Sequence, residues 1–220
     1  DIGYSDGLDM HHAIRREMGG GRSGREEGRL HLAEPVAVEL HLHLEGGAPP
    51  AFIRGLAKEK KIDISGIFTE TGGYRFTDFW NFLKVYEAAC TTLQGPMDFY
   101  RLTLAVLEES AANGVIYSET FLSPDFCGGR DLGAWKEYLH AISEAADKAK
   151  ADMGITLKGI VTPIRHFGPD KARETARCAA ETAGGFIVGF GIGGVGAVVD
   201  CRAQGAAGQG CARLTIGGAC

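Results

Sequence analysis

Residues 36–46 read VAVELHLHLEG, and they carry the clearest structural signal in the sequence. Valine or leucine occupies every second position from Val36 to Leu44, a pattern typical of an extended strand with one apolar side. Gly46 and Gly47 end the strand. Pro49 and Pro50 then open a helix that continues over 51–60, since proline suits the first helical turn.

Alternating strands and helices follow this first strand. Helical spacing of apolar residues is present over 76–94 and over 97–112, which predicts two further helices before the second strand. After them, short apolar runs at 115–122, 155–163 and 186–192 alternate with helical patterns at 132–152 and 170–183. Strands that alternate with helices indicate an α/β fold with a parallel sheet, whose strands are buried on both faces.

Composition divides the chain into three segments. Residues 1–34 are polar and glycine-rich, so we expect a disordered or unrelated segment there. A basic nucleic-acid-binding arm is the alternative, but interspersed glutamates argue against it. Residues 35–194 form the predicted domain. Residues 195–220 are an aberrant tail rich in glycine, alanine and cysteine, in which only 214–216 resembles a strand.

His41 and His43 are the residues that point to chemistry. Side chains two apart in a strand lie on the same face, so both imidazoles project together near the carboxyl end of the strand. Two such imidazoles are able to bind one metal ion. The alternative is a pair of partly buried histidines that bond to backbone or carboxylate groups. The glycine turn and helix that follow favour the metal site.

Overall composition excludes several classes of function. The net charge of -5 gives no reason to expect nucleic acid or an anionic membrane surface as a partner. No apolar run is long enough to span a bilayer, and no secretory signal pattern is present, so we expect a cytoplasmic protein. The six cysteines form no C-x-x-C pair and are interpreted as reduced thiols.

The motif at 38–46 resembles the opening motif of the adenosine deaminase family, within the metal-dependent aminohydrolases. Four further stretches are similar to bacterial members in the same order: FWNFLKVY at 79–86, IYSETFLSP at 116–124, IRHFGP at 164–169 and GFGIGG at 189–194. The first motif alone is moderately specific, whereas the ordered set is highly specific. The resemblance covers about residues 35–194.

The resemblance implies a fold, a metal and a reaction. It implies the first four to five strands of an incomplete TIM (β/α)8 barrel, with a helical insertion after strand 1. It implies Zn²⁺ bound by His41 and His43, and substrate contacts from His43, Glu45 and Gly194. Glu45 stands where the family usually has an aspartate that contacts the ribose. The helix over 79–86 resembles an apolar flap over the substrate, although each of its residues also suits core packing.

The implied reaction is hydrolytic deamination of adenosine to inosine and ammonia, with a small purine as the partner. The family's remaining catalytic residues have no counterpart here, because Val195-Gly196 replaces Asp-Glu and no His-Ala-Gly-Glu follows the possible strand at 214–216. We therefore identify no catalytic acid and no orienting histidine or aspartate. We expect this chain to be inactive, and we interpret the change at Val195 as a reading-frame shift or a misplaced gene end.

Two alternatives stay open beside adenosine deamination. The first keeps the reaction and changes the substrate to adenine or a modified adenosine, which Glu45 in place of aspartate invites. The second is a non-catalytic fragment, which the missing ligand and acid favour. The stretch 189–194 also resembles a glycine-rich dinucleotide fingerprint, but no helical pattern follows it.

Overall fold

The structure, a computed structural model, describes residues 36–193, without the side chain of Phe79. The predicted segments 1–34 and 195–220, the possible strand at 214–216 and the predicted substrate contact Gly194 lie outside the described residues. The described part divides into two compact units. The first comprises Val36 and residues 49–92, and the second comprises residues 37–48 and 93–193.

The first unit holds the helical insertion that follows the first strand. Helix α1 spans Pro50–Lys60 and helix α2 spans Phe79–Cys90, with a short 3-10 turn at Ser65–Ile67 between them. The Asp78 carboxylate caps α2 by accepting a hydrogen bond from the Asn81 backbone N–H at 2.9 Å. The apolar spacing predicts that this helix begins at Phe76. Because the Asp78 cap fixes the start of α2 at Phe79, Phe76 lies before the helix.

The second unit holds the sheet and the helices that connect its strands. Its strands are β1 at Ala37–His43, β2 at Val115–Leu122, β3 at Thr156–Val161 and β4 at Ile187–Phe190. Its helices are α3 at Pro96–Ala112, α4 at Leu132–Met153 and α5 at Pro169–Glu181. Each of these elements was predicted from the sequence, β2 with its observed ends and the others with ends that differ by at most two residues.

All four strands are parallel and lie in the order β1-β2-β3-β4. The register of β2 against β3 is unbroken from Tyr117 to Leu122. The register of β1 against β2 shifts between Glu39 and Leu42, a bulge-like irregularity beside His41. Since every strand runs in the same direction, all carboxyl ends meet at one edge of the sheet, which is where parallel α/β proteins place their sites.

A buried layer between the helices and the sheet holds this unit together. The predicted inward face of α3 is confirmed, because Phe99, Leu102, Val106 and Leu107 are almost fully buried. Leu107 packs in one cluster with Ala149 of α4 and Leu157 of β3. Burying one such leucine contributes about 1.5–3 kcal/mol, so the cluster fixes the position of the strands. No helix within residues 36–193 is long and apolar enough to cross a membrane.

Candidate metal and substrate site

The carboxyl end of β1 brings two imidazoles together. The ring centroids of His41 and His43 are 5.5 Å apart, with 62° between the ring planes. Neither ring is hydrogen-bonded to another described residue, and both histidines are exposed. The strand ends in a turn in which the Gly47 N–H donates to the His43 carbonyl at 2.9 Å. A Cβ on Gly47 would lie 2.9 Å from Leu42 Cδ1, which explains the glycine there.

Phe121 of β2 lies against both imidazoles. Its ring centroid is 4.6 Å from that of His41 and 5.0 Å from that of His43, and it stacks on His43 with an interplanar angle of 22°. Strand pairing places it there, because His43 and Phe121 are register partners. Sequence reasoning did not name Phe121 as a site residue. The available signal was the period of two along β2, which puts Phe121 on one face with Tyr117 and Glu119.

The surroundings keep His43 in its neutral form. Although His43 is exposed as a residue, burial of its imidazole and, to a smaller extent, the neighbouring His41 together lower the pKa of His43 to about 4. A neutral imidazole is the form that ligates a metal, so His43 needs to lose no proton at neutral pH.

The donor set fits a zinc ion in spacing and in chemistry. Two imidazoles that bind one tetrahedral zinc at about 2.0–2.1 Å have ring centroids about 5 Å apart, close to the spacing observed here. Catalytic zinc usually has three protein ligands. Among residues 36–193, no group of three or more His, Cys, Asp or Glu side chains is placed to hold a metal. Within the described part of the chain, His41 and His43 are therefore two candidate ligands for such a site.

The other predicted substrate residues are only partly described. Glu45 lies in the turn after β1, two residues beyond His43, and is 6% exposed. Gly194 follows the last described residue. In the predicted flap helix, Trp80 is 63% exposed and Phe82 packs against Tyr86 with ring centroids 6.2 Å apart.

The later histidines lie apart from this pair. His140 is exposed on α4, where its Nε2 is 3.5 Å from Glu144 Oε1, as expected for a surface residue. His166 is exposed in the 3-10 turn Arg165–Phe167 after β3. Glu119 is buried, as predicted, and its Oε1 accepts a hydrogen bond from the Tyr117 hydroxyl at 2.8 Å.

A charged cluster follows β2, and the sequence did not reveal it. Arg130 donates to Asp125 from Nη1 and to Glu174 of α5 from Nε, the latter at 2.8 Å. The Asp125 side chain is only 3% exposed. The Cys178 thiol also contacts the Arg130 carbonyl, with 3.5 Å between sulfur and oxygen. This cluster ties the loop after β2 to α5.

The whole sequence also matches a known protein family, in agreement with the motifs described above. The family described as "Adenosine deaminase" matches residues 36–203, more than half of the chain. The chain belongs to the adenosine deaminase family. The match confirms the predicted family and extends nine residues past Gly194, to Ala203.

Curated relatives in the family carry a narrower name. The chain is 39% identical over 159 residues to an adenine deaminase from Chelativorans sp., covering 72% of this chain and 48% of that protein. It is 38% identical over 174 residues to an adenine deaminase from Rhizobium leguminosarum bv. trifolii, covering 78% of this chain and 52% of that protein. The chain thus spans about half the length of the curated relatives it matches.

Solved structures share the fold of the described residues. The adenine deaminase from Arthrobacter aurescens has a TM-score of 0.63 and 30% identity, with 74% of this chain and 50% of that chain covered. An amidohydrolase from Burkholderia ambifaria, whose structure contains bound Zn, has a TM-score of 0.59 and 24% identity, with 72% and 44% covered. The predicted fold class is confirmed: the four parallel strands and their helices are the amino-terminal part of a (β/α)8 barrel.

Proposed function

We propose that this chain carries the amino-terminal part of a zinc site for hydrolytic deamination of a purine, with adenine as the preferred substrate. The observation that carries the proposal is the pairing of His41 and His43 on one side of β1, at the carboxyl end of a family barrel. In the reaction, the oxygen of water adds to C6 of the purine and the 6-amino group leaves as ammonia.

The position of each residue in the candidate site suggests its role in the proposed reaction. His41 and His43 would hold the metal, and His43 is already neutral. The Phe121 ring covers one side of both imidazoles, which limits water there and fixes the ring orientations. When bound, zinc supplies a water that is acidic enough to act as nucleophile at neutral pH. We assign no catalytic acid within residues 36–193.

Adenine is proposed as the substrate for two reasons. The relatives described above that share 38–39% identity with this chain are named adenine deaminases. Glu45 also stands where the resemblance places a ribose-contacting aspartate, and its longer side chain reduces the room for a ribose. Adenosine is the second candidate, supported by the family's own description.

A chimeric enzyme tests the proposal. Residues 36–193 of this chain replace the matching segment of the Chelativorans adenine deaminase, and ammonia release is measured with adenine and with adenosine. We expect kcat/KM to be at least about tenfold higher for adenine. Replacing His41 or His43 by alanine in the chimera is expected to lower kcat/KM by at least about a hundredfold, since loss of a metal ligand exceeds loss of its supporting groups.

Matched variants separate the parts of the proposal. His140→Ala removes an exposed imidazole on α4 and is expected to leave both rates unchanged. Glu45→Asp is expected to raise the rate with adenosine relative to adenine. A folded chimera that releases no more ammonia than its His41→Ala/His43→Ala variant contradicts the proposed reaction. A chimera that prefers adenosine contradicts only the proposed substrate.

A further inference from the structure

Glycine occupies every second position at the end of β4 and just after it. Gly189, Gly191 and Gly193 are spaced by two residues, so they belong to one face of the extended chain. The family resemblance gives a role only to Gly194, the last residue of this motif. None of the three alternating glycines adopts the left-handed backbone conformation that favours glycine. The missing side chain, rather than backbone freedom, is therefore what distinguishes these positions.

A side chain at Gly191 would collide with the ring of Phe121. A Cβ placed on Gly191 lies 3.1 Å from Phe121 Cε1, 3.4 Å from Thr162 Oγ1 and 3.6 Å from Ile160 Cγ2. Carbon atoms in favourable contact are about 3.5–4.0 Å apart, so the distance to Phe121 is too short. The Phe121 ring is therefore the group that has to move if Gly191 gains a side chain.

The backbone at Gly191 is fixed, and the Phe121 ring has imidazoles on its other side. The Gly191 N–H donates to the Val161 carbonyl at 2.9 Å, which holds this position against β3. The strand order places β1 and β4 on opposite sides of β2, which carries Phe121. The ring is 5% exposed, and its centroid lies 4.6 Å from that of His41 and 5.0 Å from that of His43. Crowding from the β4 side therefore pushes the ring towards the imidazoles.

We propose that Gly191 is a positioning residue for the histidine pair. By carrying no side chain, it leaves the room in which Phe121 holds the imidazoles of His41 and His43 at their 5.5 Å spacing and 62° angle. Functional groups need to be held within about 0.5 Å of their working geometry, so a small displacement of the ring matters. The consequence for zinc binding rests on the proposed function, whereas the effect on the orientation of the imidazoles does not.

The first experiment follows the imidazole protons of the metal-free 220-residue protein by NMR, at one pH above the titration range of histidine. Gly191→Ala is expected to move the resonances of both imidazoles, because the ring current that acts on them depends on where the Phe121 ring lies. Gly189→Ala is the matched control on the same face. A Cβ on Gly189 is crowded to a similar degree, at 3.2 Å, but its three nearest atoms all belong to Ile160. The control is expected to leave the imidazole resonances unchanged.

The second experiment measures Zn²⁺ binding by equilibrium dialysis. Gly191→Ala is expected to bind Zn²⁺ about tenfold more weakly than the wild type, as for loss of a group that orients metal ligands. Gly189→Ala is expected to bind as the wild type does. In a Phe121→Leu background, the smaller side chain leaves room for the added methyl group. Gly191→Ala is then expected to change Zn²⁺ binding by no more than about twofold.

The outcomes separate the positioning role from the proposed function. Unchanged imidazole resonances in a folded Gly191→Ala variant overturn the proposal, and so do equal changes in Gly189→Ala. A wild type that binds Zn²⁺ and a Gly191→Ala variant that binds it equally tightly also overturn it. If the wild type binds no Zn²⁺, the proposed function fails, and the resonances still decide the role of Gly191.

A loss of folding is also informative. If Gly191→Ala does not fold, Gly191→Ala/Phe121→Leu is expected to regain a cooperative unfolding transition, because the smaller side chain relieves the collision. A double variant that stays unfolded while Phe121→Leu alone folds overturns the proposal, since the collision is then not with Phe121.

Discussion

The carboxyl ends of β1 and β2 lie side by side in one parallel sheet, yet the polar side chains at the two ends differ in burial and in their partners. After β2, the Asp125 carboxylate is buried and paired with Arg130, which also binds Glu174. At the end of β1, His41 and His43 are exposed and contact only each other and Phe121 among ring partners. Polar groups that satisfy one another stabilise a fold, whereas groups left available to a ligand serve a site.

Among substitutions at these two strand ends, Arg130→Gln is expected to change the free energy of unfolding most. It leaves the buried Asp125 charge without its main partner, and we expect a loss of about 3 kcal/mol in the free energy of unfolding. Urea denaturation followed by circular dichroism measures this loss. The double variant Arg130→Gln/Asp125→Asn is expected to regain most of it, because the buried charge is then removed.

The histidine pair supplies the control for this prediction. His41→Ala is expected to change the unfolding free energy by no more than about 0.5 kcal/mol, as for exposed positions in general. If His41→Ala costs as much as Arg130→Gln, the histidines belong to the folding core and the contrast between the two strand ends is lost.

A smaller effect is expected from Asp131, the residue after the cluster. Its carboxylate caps α4 by accepting a hydrogen bond from the Ala134 N–H at 2.8 Å. Asp131→Ala is expected to cost about 1 kcal/mol in unfolding free energy, while Asp131→Asn keeps the cap and costs much less. Thermal and urea unfolding of the two variants check this. Equal losses would show that the charge, rather than the cap, stabilises the loop after β2.

A separate effect concerns the pH dependence of the metal-free protein. The pKa of His43 is about 4 in the folded state, whereas its ordinary value is 6.5. As pH falls, His43 therefore takes up a proton in the unfolded chain before it does so in the folded protein. Stability is therefore expected to decrease from pH 6.5 towards pH 4 and to be unaffected by His43 above pH 6.5. NMR titration of the imidazole follows its midpoint directly.

The His41→Ala variant tells which cause dominates this pKa. Burial is the larger cause and His41 the smaller, so the His43 midpoint should rise in this variant but remain below 6.5. A midpoint at the ordinary value in His41→Ala would show that charge repulsion, not burial, sets the pKa.

The fold was predictable from local patterns. Turn residues and apolar periods gave every strand and helix of the described part, and strand β2 was predicted with its observed ends at Val115 and Leu122. The start of α2 was missed because the Asp78 cap overrides the apolar spacing that begins at Phe76. The position of a helix cap depends on a side-chain hydrogen bond, and the spacing of apolar residues carries no information about that bond.

Of the candidate site, only the residues that lie on one strand could be predicted from the sequence. The period of two brought His41 and His43 together, and the structure agrees with that geometry. Phe121 depends on how β1 and β2 align, including the irregularity between Glu39 and Leu42. The pair of Arg130 with Glu174 joins residues 44 apart, so no local pattern contains it. Gly194, predicted to contact substrate, stays a prediction.

Zinc binding by the purified chain shows whether His41 and His43 hold a metal ion. Equilibrium dialysis against Zn²⁺, with the metal measured by mass spectrometry, compares the wild type with His41→Ala, His43→Ala and the exposed control His140→Ala. We predict that each of the first two variants binds Zn²⁺ at least about tenfold more weakly, while His140→Ala binds as the wild type does. Unchanged binding in a folded His41→Ala/His43→Ala double variant would show that the histidine pair does not hold the metal ion.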